Sequence, residues 1–271
     1  MPAHNSPPLF NSRPVRYFRL TRLVLHLMAG CALAGFLFPF YDDSGRNTAI
    51  VRWARQLLAI LHVHVEVRGG VPDNARAGCI IAANHISWLD IYVLQSVRPV
   101  RFVAKSEIRD WPIIGWLCDR AGTLFIERGR RHHTAEINRV MRDVALAGGT
   151  VGLFPEASTS LGNQLKKFHT ALFQAVVDSD VPLTPAAILY TDAIGRRSEV
   201  AAYVDDMSLG QSLKQIVAAP EICVVLHFAA PISAAGKTRR ELALEAEDAI
   251  ASLLYPRNPD NPPETPPGLP A

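Results

Sequence analysis

The sequence predicts an α/β protein, a mixed sheet flanked by helices, preceded by a membrane-associated helical hairpin. Two observations carry that expectation. Beyond Val65, short apolar runs of strand length alternate with segments of helical periodicity, the pattern of a sheet with helices packed against it. Ahead of them, Leu23 to Phe40 is almost wholly apolar, broken by His26; as a helix rising 1.5 Å per residue it extends about 27 Å, close to the thickness of a bilayer core.

Taken in order, Met1 to Pro14 is polar and proline-containing and reads as a disordered lead. Residues 15–64 form the predicted two-helix membrane element. Its first helix is not a cleavable signal, because it begins late, follows an arginine-bearing lead and ends in FPFYDD rather than in small residues. Arg13, Arg16, Arg19 and Arg22 hold its N-terminus in the cytoplasm by the positive-inside rule. In the second helix Ile50, Trp53, Ala54, Leu57, Leu58 and Leu61 share one face, while Arg52, Arg55 and Gln56 lie off it. That is an interfacial pattern, and a half-inserted hairpin would return both ends to the cytoplasm; packing of this helix on the soluble domain is the alternative.

Residues 65–254 read as the catalytic domain. Strands are expected at Cys79–Ala83, Arg101–Ala104, Thr123–Glu127, Val151–Phe154, Leu183–Leu189, Ala201–Val204 and Cys223–Phe228. Between them, Ala135 to Ala147 places Ile137, Val140, Met141 and Val144 on one face and stops at Gly148-Gly149. A last helix, Arg239 to Leu254, spaces Leu242, Ala246, Ile250 and Leu253 for burial. Residues 255–271 are rich in proline and read as a disordered tail.

Composition bounds what this chain does. With 271 residues, 49% hydrophobic and 20% charged, it builds one substantial core and has little length for a second domain. A net charge of +3 and the lack of any nucleic-acid motif argue against DNA or RNA as partner. The four cysteines have no metal-ligand or CxxC spacing and read as reduced residues of a cytoplasm-facing protein. No metal site or cofactor is expected.

The chemistry is concentrated in NHISWLD, Asn84 to Asp90. It puts a histidine and an aspartate five positions apart where an apolar strand gives way to a helix. An imidazole takes a proton near neutral pH, and a carboxylate on its far nitrogen fixes the tautomer and stabilises the imidazolium. The competing explanation is a capping box, with Ser87 as N-cap and Asp90 as the acid at the third helical position.

NHISWLD resembles the first signature block of the PlsC-like lysophospholipid acyltransferases, which carry His-x-x-x-x-Asp there. Three further stretches resemble that family's later blocks, in order: FVAKSEIRDWPIIGWL with GTLFIERG, then LFPEASTS, then LTPAAILY. The resemblance spans roughly Arg68 to Tyr190. It implies a glycerolipid acyltransferase-like fold and direct attack of a lysolipid hydroxyl on an acyl thioester, carried by acyl carrier protein or coenzyme A as co-substrate. It makes His85 the general base and Asp90 its orienting carboxylate. Arg128 falls at the family's substrate-binding arginine, and Lys105, Pro155 and Glu156 are expected in the acceptor-binding site.

The third block departs from the family's Phe-Pro-Glu-Gly-Thr-Arg-Ser. Ala157 for glycine puts a left-handed backbone in doubt there, and Thr159 for arginine removes a cation from the acceptor site. A charge-assisted hydrogen bond is worth roughly 1.5–3 kcal/mol, so a phosphate-headed acceptor is disfavoured unless Lys166 or Lys167 substitutes. Together with AKSEIRDWPIIGWL, this resembles the branch that acylates lyso-ornithine lipid.

The expectation is therefore an O-acyltransferase of membrane lipid synthesis at the cell inner membrane, its catalytic domain facing the cytoplasm and its partners a lysolipid, an acyl thioester and the bilayer. A non-catalytic lipid-binding protein of the same fold is the contrasting possibility. Trp88, Trp111, Trp116 and Pro112-Ile113-Ile114 fit an acyl groove, a bilayer interface or plain core packing equally well, and carry no assigned role.

Overall fold

The computed structural model describes residues 10–72, 78–127 and 131–256, and only the backbone of 131–133. Its elements in chain order are α1 (Arg13–Ala32), α2 (Asp43–Ile60), β1 (Val63–Arg68), β2 (Cys79–Ala83), α3 (Leu89–Val97), β3 (Arg101–Lys105), α4 (Ile114–Arg120), β4 (Leu124–Ile126), α5 (Arg131–Leu146), β5 (Thr150–Leu153), α6 (Gln174–Ser179), β6 (Leu183–Thr191), α7 (Leu209–Ala218), β7 (Ile222–Phe228) and α8 (Arg239–Leu254).

Seven strands form one sheet in the order β1-β7-β6-β2-β5-β3-β4, in which only β6 and β7 pair antiparallel. The five strands from β6 to β4 thus end on one edge of the sheet, where His85 and Asp90 follow β2, Pro155 and Glu156 follow β5, and Lys105 ends β3. β2 is buried on both faces, so it reads as an unbroken apolar run rather than an alternating one. Its side chains still alternate: Cys79, Ile81 and Ala83 join the core under α2, α3 and α7, while Ile80 and Ala82 join the core under α5, α6 and α8.

Both long C-terminal helices start as their sequence dictates. Ser208 with Gln211 and Thr238 with Glu241 form complete capping boxes for α7 and α8.

The structure revises four boundaries. Helix α1 starts at Arg13, so the segment taken as a disordered lead ends earlier than Pro14, and residues 1–9 lie outside those described. Tyr255 and Pro256 are described, whereas the rest of the expected tail is not. A strand absent from the sequence prediction, β1, pairs in parallel with β7 and straddles the boundary drawn at 64. The run Ala201–Val204, expected as a strand, is a loop: Tyr203 N–H donates to the Ile86 carbonyl at 2.9 Å and Ala202 N–H to that of Glu199 at 2.9 Å. It is apolar because Ala201 and Ala202 are buried, not because it joins the sheet.

The hairpin expectation is met in shape and changed in placement. Helix α1 continues through a wider turn, Leu33–Leu37, and a short 3-10 turn, Phe38–Phe40, before α2 folds back on it. Yet the apolar face of α2, with Ala54, Leu57 and Leu58, is buried in the domain core alongside Leu89 and Val93 of α3. It is α1 that stays open, with Tyr17, Phe18, Val24, Leu25, Met28, Phe36 and Phe40 all exposed.

Helix α1 is fastened along its length. Buried Arg19 donates to the carbonyls of Ala219 (2.6 Å) and Pro220 (2.8 Å) just past α7, a cation closing a helix C-terminus. His26 stacks on Trp53 at 4.6 Å, and Gly35 meets Trp116, where an added Cβ would sit 3.6 Å from its ring.

Candidate active site

The chain leaves β2 at Ala83, and Asn84 replaces the next rung of the ladder with its side chain. Its Nδ2 donates to the Ile188 carbonyl (2.9 Å), and its Oδ1 accepts from the Ile188 N–H (2.7 Å). The backbone is thereby released to turn while still tied to β6.

His85 comes next. Its Nδ1 lies 2.8 Å from Asp90 Oδ2, the first residue of α3's opening turn but one. The same oxygen accepts the N–H groups of Ile86 (2.8 Å) and Ser87 (2.9 Å), and Oδ1 accepts the Tyr190 hydroxyl (2.7 Å). Four donors on a carboxylate with no solvent exposure fix its rotamer. The expected capping box is not formed, because Asp90 is the second residue of α3 and no side chain caps the helix. Asp90 still closes the turn before α3 and orients the imidazole. Ser87 is not the N-cap, which is Trp88; its Oγ accepts from Leu89 N–H at 3.2 Å.

A stack of rings fixes the imidazole plane. Phe154 lies 4.0 Å from His85 and within 10° of parallel, and Phe102 lies 5.4 Å behind it at 4°. Gly152 makes room for this stack, since a Cβ there would come within 2.6 Å of the Phe102 ring. Held at one nitrogen and one face, the His85 side chain keeps 18% exposure, and Nε2 is the nitrogen left for a reacting group.

After β5, Pro155 is buried and its carbonyl accepts the His169 N–H at 2.9 Å. Glu156, expected as a grip on the acceptor, is 3% exposed and has both oxygens occupied by backbone: Oε1 by His85 N–H (2.7 Å) and Oε2 by Lys166 N–H (2.9 Å). It braces the histidine loop against the loop that follows β5. Burial holds its acid strength down, with a pKa above the usual glutamate range, and the two N–H donors offset part of that.

Ala157 has φ +59°, so the left-handed conformation that a glycine would take is kept despite the Cβ. Thr159, in the place of the family's arginine, donates its hydroxyl to the Tyr203 carbonyl. Lys166 brings a cation to this loop: its Nζ donates to Ser158 Oγ (3.0 Å) and the Thr159 carbonyl (2.8 Å). Lys105 is exposed at the end of β3, on the same edge as His85. Arg128 lies outside the described residues.

Sequence reading passed over three positioning residues. Asn84 had a signal, an amide just past an apolar strand. Tyr190 had another, a polar-tipped side chain near the end of a buried strand; burial and the Asp90 charge hold its pKa well above the ordinary phenol value, so it acts as a donor. Phe154 had none, because stacking is not visible in one dimension. Two surface grooves, of about 780 Å³ along α2 and about 490 Å³ beside β1, involve none of these residues.

A buried carboxylate, an oriented histidine and an open ring nitrogen at the C-terminal edge of parallel strands make an arrangement that can serve as a general base. Comparison with known proteins places it among acyltransferases. The family model described as Acyltransferase matches residues 64–189, the span that holds His85, Asp90 and Glu156. The 1-acyl-sn-glycerol-3-phosphate acyltransferase of Neisseria meningitidis serogroup B is 35% identical over 234 residues, covering 83% of this chain and 91% of its own. The lyso-ornithine lipid O-acyltransferase of Pseudomonas aeruginosa is 33% identical over 248 residues, covering 90% and 92%.

The crystal structure of PlsC, the 1-acyl-sn-glycerophosphate acyltransferase of Thermotoga maritima, superimposes with a TM-score of 0.65 at 19% identity over 88% of this chain and 96% of that one, a likeness of fold. The chain belongs to the PlsC-like lysophospholipid acyltransferase family and is an acyltransferase.

Proposed function

We propose that the protein transfers a fatty acyl group from an acyl thioester of acyl carrier protein or coenzyme A to the free hydroxyl of a lysolipid, with His85 as general base. One observation carries this reading: the 2.8 Å contact of His85 Nδ1 with the buried Asp90 leaves Nε2 as the base. In the reaction Nε2 removes the acceptor's hydroxyl proton as the alkoxide oxygen bonds to the thioester carbon. The tetrahedral adduct then expels the thiolate, which takes the proton from the imidazolium. Asp90 stabilises that imidazolium.

For the acceptor we favour lyso-ornithine lipid over lysophosphatidate. Thr159 spends its hydroxyl on Tyr203, and Lys166 supplies a point charge rather than the two-pronged fork that suits a phosphate. A zwitterionic head group with a single carboxylate demands less. Relatives bearing each of the two names match this chain.

The membrane reading also becomes more specific. Arg13–Phe40 is long and apolar enough to cross a bilayer, but α1 touches the domain at Arg19 and His26, and the Leu33–Leu37 turn that extends it does so at Gly35. Those contacts extend over about 24 Å at 1.5 Å per residue. A helix bound to the domain over that distance lies along the surface, so it seats in one leaflet with its outer face in lipid. We place that leaflet on the cytoplasmic side of the inner membrane, where acyl thioesters are made.

The test is acyl transfer by purified protein in vesicles offered both acceptors, beside His85→Ala. The variant is expected to lose at least about 10²-fold in rate while staying bound to vesicles. Unchanged transfer by His85→Ala would remove the base. Preference for lysophosphatidate would overturn the head-group assignment and leave the reaction standing.

A further inference from the structure

Between β3 and α4 the chain makes a projecting tip whose character the sequence leaves open. Trp111, Ile113 and Trp116 are exposed to 43%, 61% and 39%, which rules out core packing. Ile113 sits at φ +65°, closing a three-residue turn in which Ile114 N–H reaches the Pro112 carbonyl at 2.6 Å. This turn is rare and strained, and for a β-branched residue a positive φ is an outlier. Such strain at a surface that turns an isoleucine outward marks a functional contact.

The tip is also braced. Gly115 presses on the chain below it, where a Cβ would fall 2.1 Å from the Arg109 carbonyl oxygen, so no other residue fits there. Two cations flank it: Arg120 lies 5.5 Å from the Trp116 ring centre, and Arg109 lies 4.7 Å from that of Phe125 on β4 and 3.4 Å from Asp119. An apolar point with arginines drawn to its sides and tryptophans at its base is the side-chain distribution of a headgroup boundary.

Two features of position identify the occupant. Trp116 meets Gly35, and from that end of the N-terminal hairpin Phe36, Leu37 and Phe40 project at 75%, 46% and 85% exposure, so the tip and α1 form one apolar surface. The tip also follows the C-terminal end of β3, on the edge of the sheet that carries His85.

We propose that the Trp111–Ile113 tip is a second membrane-contacting element, inserted at the headgroup–acyl boundary of the leaflet that receives α1. It holds the His85 edge of the sheet against lipid, so a lysolipid reaches Nε2 without leaving the bilayer. The inference rests on the seating of α1 in one leaflet.

The test uses the full chain with Trp53→Phe, Trp88→Phe and Trp116→Phe, leaving Trp111 as reporter, in 3:1 phosphatidylethanolamine–phosphatidylglycerol vesicles with or without lipid brominated at carbons 6 and 7. Vesicle binding should shift its emission to the blue, and brominated lipid should quench it at least twofold. Unquenched emission from protein that sediments with the vesicles overturns the tip while leaving α1 in place; blue-shifted but unquenched emission assigns it to contact with another protein, which overturns it as well. Protein that does not sediment overturns the membrane seating and this inference with it. None of these readings requires catalysis.

If the triple variant does not fold, Trp111→Ser/Ile113→Ser serves. The KM for acceptor presented in vesicles should rise at least fivefold at unchanged kcat, with no change for a short-chain soluble acceptor. An unchanged vesicle KM refutes the proposal.

Discussion

Tyr190→Phe separates orientation of the base from mere packing. The substitution removes one oxygen and keeps the ring, so the core around it is undisturbed. What is lost is a 2.7 Å hydrogen bond to Asp90 Oδ1, between groups exposed to 1% and 0%, where no water replaces the missing donor. A bond to a charged group contributes about 1.5–3 kcal/mol, which is about 10- to 150-fold if all of it appears in the transition state.

Three donors remain on Oδ2, so the carboxylate keeps its place and the effect falls at the lower end, about tenfold in kcat/KM. Acyl transfer in vesicles measures kcat and KM separately, and loss of orientation should appear in kcat with KM little changed. Activity within twofold of wild type would refute the orienting role, even if the variant melts earlier.

Two further substitutions test the loop after β5. Ala157→Gly relieves a left-handed strain of about 1–2 kcal/mol and loses part of it to the greater freedom of the unfolded chain. A net gain of about 1 kcal/mol or less is expected, read as a rise in denaturation midpoint, and a fall would show that the Cβ packs usefully. Glu156 titrates above its usual range because it is buried. Its protonated form is thus favoured by the fold, and its contribution is full below about pH 4 and lost as the pH rises through the folded value. Wild type should therefore lose stability relative to Glu156→Gln as the pH rises above about 4 in denaturant titrations; a constant difference would contradict the assignment.

Much of the centre was legible because its parts are local. His85 and Asp90 are five residues apart, and the strand-to-helix change between them is written in the apolar run of β2 and the polar turn after it. What was lost is what lies far off in sequence. Tyr190 reaches Asp90 across a separation of 100 residues and Asn84 reaches Ile188 across 104, and no local pattern encodes either. Val63, Val65 and Val67 do alternate with His64, Glu66 and Arg68, a period-two signal for β1 in a run of only six residues.

The misplacement of α2 follows from what periodicity measures. A stripe of Ala54, Leu57 and Leu58 states that one face leaves water, and lipid and a protein core satisfy it equally. The medium is decided by what else is near. α3 offers Leu89 and Val93 to α2, so α2 turns to the domain. Leu25 and Met28 are left exposed, so α1 keeps the outer place.

The same reasoning explains why the arginines of the lead do not act alike. Arg19 faces the domain and closes the end of α7, whereas Arg22 lies over the ring of Phe18 at 5.6 Å on the open side. A row of like charges in sequence thus divides between a fastening to protein and the open side of the helix. The helix is thereby oriented about its own axis, and under the proposed seating that orientation decides which of its residues meet lipid.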